Sequence, residues 1–302
     1  MRAGLEDPVS ETVGFVGLGL MGRPMAKNLI KAGFPLVVHS RSAGPVDDVV
    51  AAGARRASSP AEVARQATVV ITMVPDTKDV ELVLAGPAGV FETMRPGTIV
   101  VDMSTISPVA TRRLAIETAS RGGTLLDAPV SGGEIGAINA TLSIMVGGDA
   151  SALERVRPVL GAMGSRVIHI GESGAGQVCK ACNQLAIGGA LAVVGELFAL
   201  ARKSGIDPAK VREALLGGFA ASRVLEVHGQ RILEGNYKPG FRMGLYHKDL
   251  GILLETARAA DVPMPVGAVI QQLVNAAMAA GRGDLDYSAL ATVTFGLAAI
   301  EP

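Results

Sequence analysis

From Thr12 to Ile170, short apolar runs alternate with amphipathic stretches. The runs Thr12–Val16, Pro35–His39, Thr68–Val74, Thr98–Met103, Thr124–Ala128, Leu142–Val146 and Arg166–Ile170 read as strands, Thr68–Val74 and Thr98–Met103 as strands buried in a parallel sheet. Strand–helix alternation at this spacing predicts a doubly wound α/β domain with right-handed crossovers. Beyond the glycine-rich break at Gly171, Gly174 and Gly176 the strand signal stops. Helical periodicity then covers Gln177–Lys203, Pro208–Leu216, Ser222–Leu233, about Leu245–Ala260, Pro265–Ala280 and a last stretch from Ser288. The expected organisation is a sheet domain over residues 12–175 and an all-α domain over 176–302.

The first of those helices dominates the second half. It runs without proline from Gln177 to Lys203, about 40 Å at ~1.5 Å per residue. Its middle, Leu185 to Gly195, is apolar on every side and predicts a helix buried on all faces. Only eleven residues separate Gln184 from Glu196, short of the ~20 that a bilayer requires, so a membrane span is not expected. Near its start stands Lys180, with Asn183 and Gln184 one turn further on the same face. Apolar surroundings and the positive end of the helix dipole both disfavour an ammonium there, and both should lower its pKa. A lysine reaching to solvent or held by a carboxylate is the plainer reading of this stretch alone.

Composition narrows the classes. A chain of 302 residues is long enough for two domains with real cores. Net charge is zero, with no basic stripe, which argues against a nucleic-acid binder. Two cysteines exclude a disulfide framework and fit a reducing compartment. Met1–Glu11 reads as a polar tail without the apolar segment of a signal peptide, so a cytoplasmic location is expected. Cys179 and Cys182 form C-x-x-C, but no thioredoxin-like strand precedes them, and they read as small buried apolar residues. The histidines show no ligand spacing, and no metal is expected.

Candidate chemistry begins at the first strand. Gly17-Leu18-Gly19-Leu20-Met21-Gly22 is G-x-G-x-x-G after a strand and opening a helix that stops at Gly33. In that setting Gly17 permits a tight turn, Gly19 lets a pyrophosphate approach, and Gly22 lets helix and strand pack closely. The sheet is therefore expected to be of the Rossmann type, with dinucleotide phosphates at the helix N-terminus. At the end of the second strand, where NAD sites place a carboxylate for the ribose, the chain carries Ser40-Arg41. An arginine beside a hydroxyl suits a 2′-phosphate, so NADP(H) is favoured, with NAD(H) possible. Val74-Pro75, Ser104-Thr105 and Pro129–Gly133 fall at other strand ends, where such sheets bind ligands. The last of these is a turn rich in backbone N–H groups, fit for a carboxylate. Lys248, beside Asp249, stands in the opening turn of a predicted helix.

Four blocks, Gly14–Gly22, Asp127–Gly133, Gly176–Asn183 and Lys248–Leu250, resemble the signatures of the β-hydroxyacid dehydrogenase family, in the family's order. Further segments, Thr141–Gly148, Gly217–Glu226 and Asn236–Arg242, are similar to the branch acting on 2-hydroxy-3-oxopropionate (tartronate semialdehyde). The resemblance implies that Ser131, Gly132 and Gly133 hold a substrate carboxylate. It further implies that Lys180 is the acid/base, that Asn183 positions substrate, and that Lys248 closes over the cofactor. Thr105 and Val74-Pro75 would border the nicotinamide ribose. The expected activity is hydride transfer between NAD(P) and a short β-hydroxyacid or its aldehyde acid. Rival readings are 3-hydroxyisobutyrate or another β-hydroxyacid as substrate, an imine reductase (a family usually lacking the lysine at 180), and a catalytically silent NADP-binding scaffold. The long apolar helix, with so short an all-α half to cover it, predicts a homodimer or homotetramer.

Overall fold

The computed structural model describes residues 11–300, so the expected polar tail lies, up to residue 10, outside the described residues. The elements follow the order β1 (Val13–Val16), α1 (Gly22–Lys31), β2 (Leu36–His39), α2 (Ala43–Ala51), β3 (Arg55–Arg56), α3 (Pro60–Gln66), β4 (Val69–Thr72), α4 (Thr77–Ala85) and β5 (Ile99–Asp102). Next come α5 (Pro108–Ser120), β6 (Thr124–Asp127), β7 (Val130–Ser131), α6 (Gly133–Ile138), β8 (Ser143–Gly147), α7 (Ala150–Gly161) and β9 (Arg166–Gly171). Among the described residues, six α-helices follow: α8 (Ala175–Lys203), α9 (Pro208–Leu216), α10 (Arg223–Leu233), α11 (Met243–Ala259), α12 (Pro265–Ala279) and α13 (Ala291–Leu297). Two compact units result, divided between Lys180 and Ala181.

In the first unit the strands run in the order β3-β2-β1-β4-β5-β6-β8-β7, with β9 paired to β8. Pairing is parallel from β3 through β6, whereas β8 runs antiparallel to β6 and β7. The sheet is thus mostly, not wholly, parallel. The reversal arises because β6 and β8 are linked through Pro129–Thr141 by the two-residue β7 and the single short helix α6. Alternation along the strands builds two layers. Val38, Ile71, Val101 and Leu126 face one core, and Val37, Val70, Val100 and Leu125 face the other. Ser107 caps α5 by accepting from the Ala110 N–H, with Pro108 in the first turn as its sequence predicts. The chain reverses direction across the sheet between β1 and β4, and ligands of open α/β sheets gather at such a point.

The second unit is all-α, with cores built around Tyr246, Leu250 and Val274 and around Phe198, Leu225 and Phe295. Gly188 makes room for fully buried Tyr246: a Cβ there would lie 1.6 Å from the phenol oxygen. That hydroxyl donates to the Gln184 carbonyl at 3.1 Å. Ser222 caps α10 through the Leu225 N–H.

Helix α8 departs from expectation on two points. By length and composition it is long and apolar enough to cross a membrane, as core helices of soluble proteins also can be. Gln177, Lys180 and Gln184 all find hydrogen-bond partners in the protein, as in a core helix. Nor is it buried on all faces. Val193 is 57% and Leu200 70% exposed, and Ala186 is exposed as well, so residues seven apart leave one stripe of the helix open. Cys182 is exposed too and Cys179 is half-buried, which corrects the reading of both cysteines as buried.

Candidate active site

The loop after β1 is shaped by its glycines. Gly17 has φ +101°, and a Cβ there would meet the Met73 carbonyl oxygen at 2.3 Å, so only glycine lets the loops after β1 and β4 touch. A Cβ on Gly22 would stand 1.9 Å from the Gly17 oxygen, which fixes the close seat of α1. Around Gly19 the space is open: among the described residues nothing beyond its chain neighbours lies within 4 Å of where its Cβ would be. An approach free of side chains, at a helix N-terminus, is what a pyrophosphate requires. Leu18 turns its side chain into the core, while Leu20 is exposed and Met21 packs on the first core. The Leu18 N–H donates to the Ser40 hydroxyl at 3.4 Å, so Ser40 tethers the loop from the end of β2.

Arg41 projects outward, its side chain 78% exposed, and pairs with Asp79 at 3.5 Å. It stands free of the core at the rim where a nucleotide ribose would end, and a carboxylate already holds its guanidinium. A 2′-phosphate would find a cation there, in competition with Asp79. The residues present therefore fit a dinucleotide, and Ser40-Arg41 fit its phosphorylated form.

Beyond β4 and β5 the strand ends are cross-linked. The Val74 N–H donates to the Ser104 hydroxyl at 3.0 Å, which brings Val74, exposed Pro75 and half-buried Thr105 to one rim. Beneath them, Asp102 is buried and accepts from the Thr72 hydroxyl at 2.7 Å and the Ser104 N–H at 3.1 Å. Among the described residues its second oxygen has no hydrogen-bond partner. Burial pushes this carboxyl up to about 6, against the pull of its hydrogen bonds from Ser104 and Thr72.

At the end of β6 the chain passes through Asp127 into the Pro129–Gly133 turn. Val130 and Ser131 form β7, and Gly132 and Gly133 follow with φ +134° and +62°, both exposed. Successive positive φ values turn this backbone toward solvent at the N-terminus of α6. Lys180, buried at 7% exposure, donates from Nζ to the Val130 carbonyl at 2.8 Å. The structure thus brings the predicted lysine to the residue preceding Ser131. Asp127 itself is fully buried. Its oxygens accept from the Gly174 N–H at 2.7 Å and the Gln177 N–H at 3.0 Å, at the start of α8. Burial raises its pKa, opposed by those backbone donors. The Gln177 side chain accepts from the Ile106 N–H at 3.1 Å and donates to the Ser104 carbonyl at 2.9 Å.

The remaining predicted residues belong to the second unit. Asn183 donates to the Gln184 side chain at 2.9 Å, and Gln184 donates to Asp249 at 2.6 Å. Lys248 pairs with the other oxygen of Asp249 at 3.0 Å. A single buried carboxylate therefore serves both the amide chain and the lysine. Because α11 begins at Met243, Lys248 lies in its second turn rather than its first, one step further from the positive helix end than the sequence implies. Sequence reasoning missed Asp102, Asp127 and Gln177 as part of this machinery. The available signal was a carboxylate ending each of two apolar strands.

Two families span the chain. Residues 12–171 match the NAD binding domain of 6-phosphogluconate dehydrogenase. Residues 174–294 match the NAD-binding family of NADP-dependent 3-hydroxyisobutyrate dehydrogenase. The chain is 45% identical over 279 residues to 2-hydroxy-3-oxopropionate reductase of Escherichia coli, covering 92% of this chain and 95% of that one. It is 38% identical over 287 residues to 3-hydroxyisobutyrate dehydrogenase of Pseudomonas aeruginosa, covering 92% and 96%. Among solved structures, 3-hydroxyisobutyrate dehydrogenase of Mycobacterium tuberculosis with L-serine superposes with a TM-score of 0.86 at 34% identity, over 94% of this chain and 99% of that one.

Proposed function

This chain belongs to the 3-hydroxyisobutyrate dehydrogenase-related family of β-hydroxyacid dehydrogenases and is an NAD(P)-dependent oxidoreductase; we propose that it reduces 2-hydroxy-3-oxopropionate to glycerate, with NADPH preferred and Lys180 as the general acid. The observation that carries the reading is the buried Lys180 ammonium, held 2.8 Å from the Val130 carbonyl beside the Ser131–Gly133 turn. Support for the substrate comes from the 45% identity to the Escherichia coli reductase, against 38% for the Pseudomonas aeruginosa dehydrogenase.

A bound reduced nicotinamide supplies the hydride. The Ser131 hydroxyl and the exposed N–H groups of Gly132 and Gly133 take the substrate carboxylate, fixing which end of the aldehyde acid faces Lys180. As charge develops on the aldehyde oxygen, Lys180 gives it a proton and is reprotonated from water; in the oxidative direction the neutral amine takes that proton back. Asn183, its amide oriented by Gln184, is assigned to the substrate. Lys248, balanced by Asp249, is assigned to the cofactor. Gly17–Gly22 hold the pyrophosphate, Ser40 and Arg41 the 2′-phosphate, and Val74, Pro75 and Thr105 the nicotinamide ribose.

The same reading includes a homo-oligomer. The apolar stripe of α8 through Val193 and Leu200 is the surface a second copy would cover. The substrate is tested by turnover on a panel of aldehyde acids and hydroxyacids. A higher kcat/KM for 2-hydroxy-3-oxopropionate than for the 3-hydroxyisobutyrate couple is expected; the reverse order would replace the substrate and leave the family assignment standing.

A further inference from the structure

We propose that Asp127 is a positioning residue for Lys180: one buried carboxylate seats the first turn of α8 and the Val130 carbonyl together, and so sets where the ammonium stands. The inference rests on the reading of Lys180 as the acid/base.

A helix leaves its first N–H groups without intrahelical partners, and a residue at the cap usually meets them. Here the acceptor comes from the end of β6, forty-seven residues before the Gly174 donor. Its two oxygens divide the work, Oδ1 taking the Gly174 N–H and Oδ2 the Gln177 N–H. Two fixed points on one turn set both the rotation and the axial position of the helix. Lys180 follows Gln177 by three residues, so its side chain leaves the helix about one turn above that seat. Three residues after Asp127 on the other branch comes Val130, whose carbonyl receives Nζ at 2.8 Å. Both ends of the Lys180–Val130 hydrogen bond are thereby tied to one side chain. A helix displaced by one residue would move ~1.5 Å along its axis, enough to break that contact.

The surroundings are shaped to this carboxylate. A Cβ on Gly147 would lie 2.6 Å from Oδ1, and one on Gly176 would lie 2.8 Å from Oδ2. Both neighbours therefore have no room for a side chain. The donors arrayed around Asp127 are N–H groups, which match a carboxylate with two acceptors. Asparagine would turn an NH2 toward one of those N–H groups, keeping the shape while losing half the seat. A second tie, from the Gln177 side chain to Ser104 and Ile106, joins the same turn to the loop after β5, whereas Asp127 joins it to the end of β6.

The test uses the full chain with Asp127→Asn, Lys180→Met and the double variant. NADPH affinity, kcat and KM for 2-hydroxy-3-oxopropionate, and amide hydrogen exchange over residues 174–180 are the readouts. Asp127→Asn should lower kcat by ~10- to 100-fold while NADPH affinity and KM stay within ~3-fold, a split that general loss of stability would not give. Exchange over 174–180 should rise by about tenfold or more. The double variant should be no slower than Lys180→Met alone, since a residue acting through another has nothing further to remove. A near-normal kcat in Asp127→Asn, or losses that multiply in the double variant, would overturn the proposal. Should Lys180→Met turn over normally, the acid/base reading is what fails, and exchange alone then judges the seat: faster exchange upholds it and unchanged exchange removes it. If Asp127→Asn does not fold, Gly147→Ala, whose Cβ would press on the carboxylate and on the Gly176 N–H of the same seat, should give the same split.

Discussion

The Lys180 ammonium donates to the Val130 carbonyl oxygen at 2.8 Å, one residue before Ser131. A buried ammonium without an acceptor would be costly, and this carbonyl removes much of that cost. The same contact places the proton donor beside the turn proposed to hold the substrate carboxylate, which makes the following outcomes expected.

Arg41→Ala should weaken NADPH binding selectively. The guanidinium is exposed and paired with Asp79 at the surface, so its loss leaves the fold intact. Removing one charge-assisted hydrogen bond is worth about 1–3 kcal/mol. Fluorescence titration should show NADPH affinity falling toward that of NADH, with NADH affinity little changed. Equal losses for both cofactors, or a wild-type preference for NADH, would sink the assignment.

Asp102 should make stability depend on pH in a particular direction. Its carboxyl is raised from 3.8 to about 6 by burial, so the folded protein binds this proton more tightly than the unfolded chain. Its stabilising contribution is therefore full below pH ~4 and is lost as pH rises through ~6. At ~1.4 kcal/mol per unit, the loss between pH 4.5 and 7.5 is about 2 kcal/mol. Urea unfolding of wild type and Asp102→Asn at those two values should show the wild type losing that much relative to the variant. Parallel pH dependences would contradict the raised carboxyl.

Val193→Asp combined with Leu200→Glu should break the assembly. Both side chains lie on the exposed stripe of α8, outside its packed faces, so the protomer should still fold. Light scattering at micromolar concentration is expected to give an oligomer for the wild type and a monomer for the double variant. A monomeric wild type would remove the proposed role of the stripe.

Much of this architecture was legible in the chain. Gly17, Gly19 and Gly22 could be read because a strand precedes them and a helix follows. Ser107-Pro108, Asp207-Pro208 and Ser222 mark helix starts through chemistry local to the backbone. What escaped was set by partners distant in sequence or too short to carry a period. Strand β3 is the exposed pair Arg55–Arg56, without apolar alternation. Helix α6 hides in the glycine-rich Gly133–Ile138, where intrinsic propensity is poor. The antiparallel β8 looks like any other buried strand, since an apolar run does not reveal its direction. Beyond its place at the end of an apolar strand, Asp127 gave no sign of its role as a helix seat, because its donors lie about fifty residues downstream. The exposure of Val193 and Leu200 was likewise hidden, since an apolar helix does not state how many copies cover it.

The central claim is that Lys180 moves the proton during hydride transfer, and single-turnover reduction in Lys180→Met, alongside NADPH titration, tests it most directly. Cofactor phosphates are assigned to the Gly17–Gly22 loop and the end of β2, away from this side chain, so NADPH binding should be nearly unchanged. Hydride transfer from bound NADPH to 2-hydroxy-3-oxopropionate should slow by ~10²-fold or more, the range expected for loss of a general acid. Lys180→Arg should recover little, because guanidinium keeps its proton. Intact NADPH binding with near-normal hydride transfer in Lys180→Met would show that the lysine only supports the Val130 turn, and would contradict the account.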